Sequence, residues 1–151
     1  MSMPTPAEIR GLVERFNQQV FNQHDLDACA AMLADSFVEH SPFTPGSPPT
    51  KDGVLQDLRG MFAAVPDLHS EVLRTVVSGS KVAVHSRTSG SDTGTGFAAM
   101  LGVPATGRSF AAESIDVLTV GDDLRFEEHY GIFDIAAVLL QLGLVPPPAT
   151  G

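Results

Sequence analysis

Two residues near the end of this chain are of types that move protons. Asp116 stands in the apolar run Ser114-Ile115-Asp116-Val117-Leu118, and His129 stands in Glu127-Glu128-His129-Tyr130-Gly131-Ile132. Both runs read as β-strands, and in a strand side chains two apart share a face. Ser114 and Asp116 therefore lie on one face of the first strand. Glu127, His129, Gly131 and Phe133 lie on one face of the second, with Phe126, Glu128, Tyr130 and Ile132 on the other. If Asp116 and His129 face a common interior, a carboxylate and an imidazole come within reach of one ligand, and a carboxylate withdrawn from water becomes a better general base. The same two residues would equally satisfy an interior polar spot by bonding each other or nearby backbone.

Other chemistries find little support. The chain has no Gly-x-Ser-x-Gly elbow, no phosphate-binding loop, no dinucleotide fingerprint and no His-Glu-x-x-His pair. Its five histidines, His24, His40, His69, His85 and His129, follow no metal-ligand spacing, so no metal is expected. The net charge is −9 and the nine Lys and Arg are scattered, a distribution that would repel nucleic acid and anionic membrane surfaces. Cys29 has no partner cysteine and reads as a small buried hydrophobe on a helix. With no signal-like start and no apolar run of membrane-spanning length, a cytoplasmic protein is expected.

The elements that must position Asp116 and His129 follow from local patterns. A chain of 151 residues with 43% hydrophobic residues suits one domain spanning 1–151. Thr5-Pro6-Ala7-Glu8 has the form of a capping box and opens onto Ile9, Leu12, Val13, Phe16 and Val20 at helical spacing. Asp25 caps a second helix running to Leu33. Phe37 and Val38 begin an extended piece that ends at His40, before a Pro-rich loop at 41–50. Thr50 caps a third helix carrying Val54, Leu55, Leu58, Met61 and Phe62, which ends at Val65-Pro66. Segments 72–77, 82–88, 109–120 and 124–133 then read as an antiparallel meander. A last helix covers about 135–142, with Asp134 as its N-cap, Gly143 just past its end and a proline-rich tail at 146–151.

This order predicts an α+β fold in which a strongly curved antiparallel sheet wraps around the N-terminal helices and encloses a pocket. Phe16, Phe62, Phe97, Met100 and Phe133 are candidates for its apolar wall, Phe16 and Phe62 also reading as plain core. His40 is placed at its mouth or in solvent at a loop end. The outer face with Phe126, Tyr130 and Ile132 is too apolar for open solvent and predicts a homodimer through the sheets.

Several runs together resemble one family: Phe21-Asn22-Gln23-His24-Asp25-Leu26-Asp27, Ser36-Phe37-Val38-Glu39-His40, Val65-Pro66-Asp67-Leu68-His69, Gly102-Val103-Pro104-Ala105-Thr106-Gly107-Arg108, Glu128-His129-Tyr130 ahead of Asp134, and Gln141-Leu142-Gly143. In this order, over nearly the whole chain, they look like the SnoaL-like polyketide cyclases. The resemblance implies the nuclear-transport-factor-2-like cone, a superfamily that hosts cyclases, isomerases, epoxide hydrolases, hydroxylase components and binders. It also implies a cofactor-free enzyme that closes a ring by intramolecular aldol condensation. Cyclases of this type carry their acid/base Asp two residues after the motif His, where this chain has Gly131. A pocket His of theirs lines up with Asp116, which implies that the carboxylate has moved to the neighbouring strand. Tyr130 stands where Trp is more usual, and the segment 93–101 is a few residues longer.

The expected activity is cyclase- or isomerase-type acid/base chemistry on a polyketide-like or other apolar carbonyl compound. Asp116 would be the base, His129 the acid or oxyanion donor, and Ser114 and His40 orienting groups. Two alternatives stand beside it: a non-catalytic binder, favoured by Gly131, and epoxide opening by water held between Asp116 and a second carboxylate such as Glu113 or Asp134.

Overall fold

The computed structural model describes residues 2–149. Met1 at the expected N-terminal stretch and Thr150 and Gly151 of the proline-rich tail lie outside the described residues.

Helix α1 (Pro6–Arg15) starts where the capping box predicts: Glu8 N–H donates to Thr5 Oγ1 at 3.2 Å and Thr5 N–H to Glu8 Oε2 at 2.7 Å. Ile9, Leu12 and Val13 are buried beneath it. The helix continues as a π-helical stretch, Phe16–Asn22. The wider winding puts residues five apart on one side, so Asn17 and Asn22 both donate through Nδ2 to Ser70 O at 3.0 Å, and Asn22 Oδ1 accepts from Ser70 N–H at 2.7 Å. Helical spacing alone gave no hint of this change in winding.

Asp25 caps α2 (Leu26–Met32) through Ala28 N–H. Cys29 on that helix is fully buried, and burial pushes its thiol up to about 12, in keeping with a structural hydrophobe. Thr50 caps α3 (Lys51–Ala64), and Asp134 caps α5 (Ile135–Gln141). Gly143 follows α5 at φ +72°, a conformation that only glycine adopts freely.

Strands β2 (His69–Ser78), β3 (Lys81–Ser91), β4 (Ser109–Val120) and β5 (Phe126–Phe133) form the predicted antiparallel meander. The extended piece before the Pro-rich loop is longer than predicted. It forms β1 (Leu33–Glu39), which pairs parallel to β5, giving a curved five-stranded sheet in the order β1-β5-β4-β3-β2. A parallel edge strand leaves no turn signature, because its partner lies some ninety residues away.

A second correction concerns β5. The β4–β5 register shifts between Thr119 and Val120, so Glu128 pairs with Thr119 and Phe126 with Val120. The extra residue reverses the alternation, burying Phe126 to 1% exposure and turning Glu127 outward. Beyond the bulge the face assignment of His129, Gly131 and Phe133 holds.

Candidate functional site

The concave face of the sheet, α1 with its π-helical extension, and α3 enclose a cavity of about 530 Å³. Its wall is mostly apolar, built from Phe16, Phe37, Leu58, Met61, Leu118, Phe126 and Phe133 among others. The loop 93–107 closes part of its rim with α4 (Phe97–Met100), which brings Phe97 and Met100 to the cavity. That loop is clamped by Asp92. The buried Asp92 carboxylate accepts Thr106 N–H at 2.8 Å, Thr106 Oγ1–H at 2.9 Å and Ala98 N–H at 3.1 Å. Burial works to raise this carboxyl, and the three hydrogen bonds outweigh it and hold it below the usual carboxylate range.

Three ionisable side chains meet in the cavity wall. His129 on β5 lies between two carboxylates: its Nδ1 is 2.7 and 2.9 Å from Glu39 Oε1 and Oε2, and its Nε2 is 2.7 Å from Asp116 Oδ1. Glu39 is at the inner end of β1, in register with His129, and only 9% of it is exposed. Asp116 is the most open of the three, with 31% of its side chain accessible against 18% for His129. Burial would lower the pKa of His129. Hydrogen bonds to Asp116 and Glu39, together with their charges, overcome this and raise it to about 9. The ring is thus an imidazolium at neutral pH, donating one N–H to each carboxylate. Ser114 Oγ–H donates to the other oxygen of Asp116, Oδ2, at 3.1 Å, and Ser41 N–H donates to Glu39 Oε1 at 2.9 Å.

Gly131 makes this meeting possible. It pairs directly opposite Asp116 across β4 and β5. A Cβ at position 131 would overlap Asp116 Oδ1 and lie 2.7 Å from His129 Nε2. With Asp116 in this rotamer, a side chain at 131 would compete for the space that its carboxylate occupies.

The remaining expected site residues divide. Phe16, Ser114 and Phe133 line the cavity beside Asp116 and His129. Phe62 does not: its ring stacks on His24 at 4.2 Å between centroids, within the core. His40 does not either. Alternation along β1 turns Glu39 inward and His40 outward, where His40 stacks on Tyr130 at 4.1 Å and its Nε2 lies 3.0 Å from Glu128 Oε2. The two carboxylates considered for epoxide opening are also elsewhere: Glu113 meets His85 at 2.9 Å on the outer face, and Asp134 is occupied capping α5. Glu39 went unnoticed as a site residue. The signal for it was period two: once Phe37 is read as core, Glu39 shares its face.

A family model for the SnoaL-like polyketide cyclase matches residues 11–142. Among solved structures, the chain resembles TsrD from Streptomyces laurentii at 25% identity and a TM-score of 0.80, covering 94% of this chain and 99% of that one. It resembles IdmH from Streptomyces antibioticus, described as a candidate polyketide cyclase, at 29% identity and 0.76, over 89% and 98% of the two chains. AclR from Streptomyces galilaeus, described as a candidate hydroxylase, shares the fold at 22% identity and 0.79, over 94% and 100%. No curated protein matches the chain.

Proposed function

The chain belongs to the SnoaL-like polyketide cyclase family, and we propose that it is a cofactor-independent enzyme performing cyclase- or isomerase-type acid/base chemistry on a polyketide-like or other apolar carbonyl compound. The observation that carries this reading is the Glu39–His129–Asp116 array, whose most open member, Asp116, stands in the wall of an otherwise apolar cavity.

In this reading Asp116 removes a proton from a carbon next to a ligand carbonyl, and the electron pair passes to the carbonyl oxygen. The resulting enolate carbon forms a bond to a second carbonyl carbon of the same molecule. The alkoxide so produced takes the proton back from Asp116. The second carboxylate, Glu39, offsets the positive charge of the His129 imidazolium. The array therefore carries a net charge of −1 at rest and becomes neutral when Asp116 holds the substrate proton. Ser114 fixes the rotamer of Asp116 through Oδ2. The apolar wall folds the ligand and keeps water from quenching the enolate.

Asp116→Asn preserves shape and removes the base. Against aromatic and polyketide-like carbonyl compounds that the protein converts, turnover should fall by about 10²–10⁴-fold while the melting temperature stays within a few degrees; unchanged turnover removes Asp116 from the mechanism. The competing reading, a binder on the same scaffold, gains if such compounds bind the native protein and the variant equally and neither converts them.

The same proposal includes a homodimer in the cytoplasm. Among the described residues no helix is long and apolar enough to cross a membrane. On the outer sheet face Ile115 pairs with Ile132 and Val117 with Tyr130. These form one exposed apolar block, flanked by Lys81, Arg87, Glu113 and Glu128, whose mixed charges suit a second copy of the chain. Sedimentation should give twice the chain mass, and a monomer at working concentration would exclude the dimer.

A further inference from the structure

Removing a proton beside a carbonyl places negative charge on the carbonyl oxygen, and in a dry cavity that oxygen needs a hydrogen-bond donor. The donor expected from the sequence, His129, is already engaged, since its two ring N–H groups point at Glu39 and Asp116. Ser114 gives its hydroxyl to Asp116. Ser41 is different. It lines the cavity, its Oγ accepts Gly131 N–H at 3.1 Å, and its own N–H is spent on Glu39 Oε1. With the oxygen anchored from behind, its O–H is committed to none of these partners and is available to a ligand. Gly131, which anchors it, is the residue paired opposite Asp116, so the hydroxyl and the carboxylate flank the same glycine. Pro42 follows directly and restricts the backbone of Ser41 to extended conformations, which limits drift of the hydroxyl.

We infer that Ser41 is a further catalytic residue, donating its hydroxyl to the oxygen of the ligand that becomes negatively charged when Asp116 takes a proton. The inference rests on the reading of Asp116 as base. The step is balanced: Asp116 gains the proton, the carbonyl oxygen gains the electron pair, and Ser41 keeps its own proton while hydrogen-bonding the new oxyanion.

The test uses 2-naphthol, whose ionised oxygen resembles an enolate and whose absorption spectrum distinguishes the neutral and ionised forms in the ground state. The host is the full chain carrying Asp116→Asn, which imitates the protonated base and does not repel an anion. The comparison probe is 2-methoxynaphthalene, which fills the same apolar space and cannot ionise. Adding Ser41→Ala should lower the ionised-to-neutral ratio of bound 2-naphthol by about tenfold or more, while 2-methoxynaphthalene binds within about twofold. Ser41→Thr, which keeps a hydroxyl, should recover most of the ionised fraction. An unchanged ratio in the Ser41→Ala protein overturns the role of Ser41 and leaves the cavity and Asp116 untouched. Equal loss of both probes on Ser41→Ala would make Ser41 a structural residue and also overturn the inference. Failure of both probes to bind even with Ser41 intact would overturn the apolar-ligand reading together with it.

Discussion

The inner and outer faces of this sheet both bring histidines to carboxylates at about 3 Å, yet only one of them forms an array suited to acid/base chemistry. On the outer face His40 meets Glu128 and His85 meets Glu113, each pair more exposed than His129 and Glu39, with Lys81 and Thr119 also reaching Glu128. Hydrogen bonds from His40, Thr119 and Lys81 hold Glu128 below the usual carboxylate range. Solvent screens such pairs and leaves them little net energy. On the inner face a single imidazole lies between two carboxylates in a wall shielded from water, and its proton is held up to about 9. The contact distances barely differ. Burial and the second carboxylate make the difference, and they depend on the parallel edge strand that delivers Glu39 and on the glycine that lets Asp116 approach.

The sharpest way to break the inner array without touching its members is Gly131→Ala. The added methyl competes with the Asp116–His129 hydrogen bond for space, so Asp116 must swing away. Turnover should drop by about 100-fold, comparable to losing a positioned acid/base group, with the fold retained by circular dichroism. Activity close to that of the native protein would show that the bond is dispensable.

A smaller effect concerns stability. The folded pKa of His129 lies above its unfolded value of about 6.5, so the array contributes fully below that pH and its contribution is lost as pH rises through about 9. Urea unfolding should show a decline of no more than roughly 3 kcal/mol between about pH 6.5 and 9. The thiol of Cys29, raised to about 12 in the fold, begins to add its own loss only above about 9, the ordinary thiol range, which leaves the His129 window readable. Glu39→Gln should flatten the slope, and an equally steep slope in that variant would assign the decline to other groups.

The sequence made much of this architecture legible because its signals are local. Thr5, Asp25, Thr50 and Asp134 each cap the helix predicted for them, and the meander follows its turns. Asp116 and His129 were found by alternation on neighbouring strands. What stayed hidden depends on long-range pairing. Glu39 reaches His129 only through a parallel β1–β5 pair between segments ninety residues apart, and Phe126 changes face through a bulge that only the register with β4 reveals. His40 is a titratable residue at a strand end, but alternation gives the place in the pocket to its neighbour Glu39. Gly131 stands where the resemblance implies an acid, and that it pairs directly opposite Asp116 is a cross-strand register the local sequence does not reveal.

The central claim, that Glu39 and Asp116 together hold His129 as a buried imidazolium, is tested most directly by following the ring nitrogens of His129 by NMR as a function of pH. Both nitrogens should remain protonated through pH 8, with a midpoint near 9 that falls in Glu39→Gln. A midpoint at or below the ordinary histidine value of about 6.5 would contradict the account.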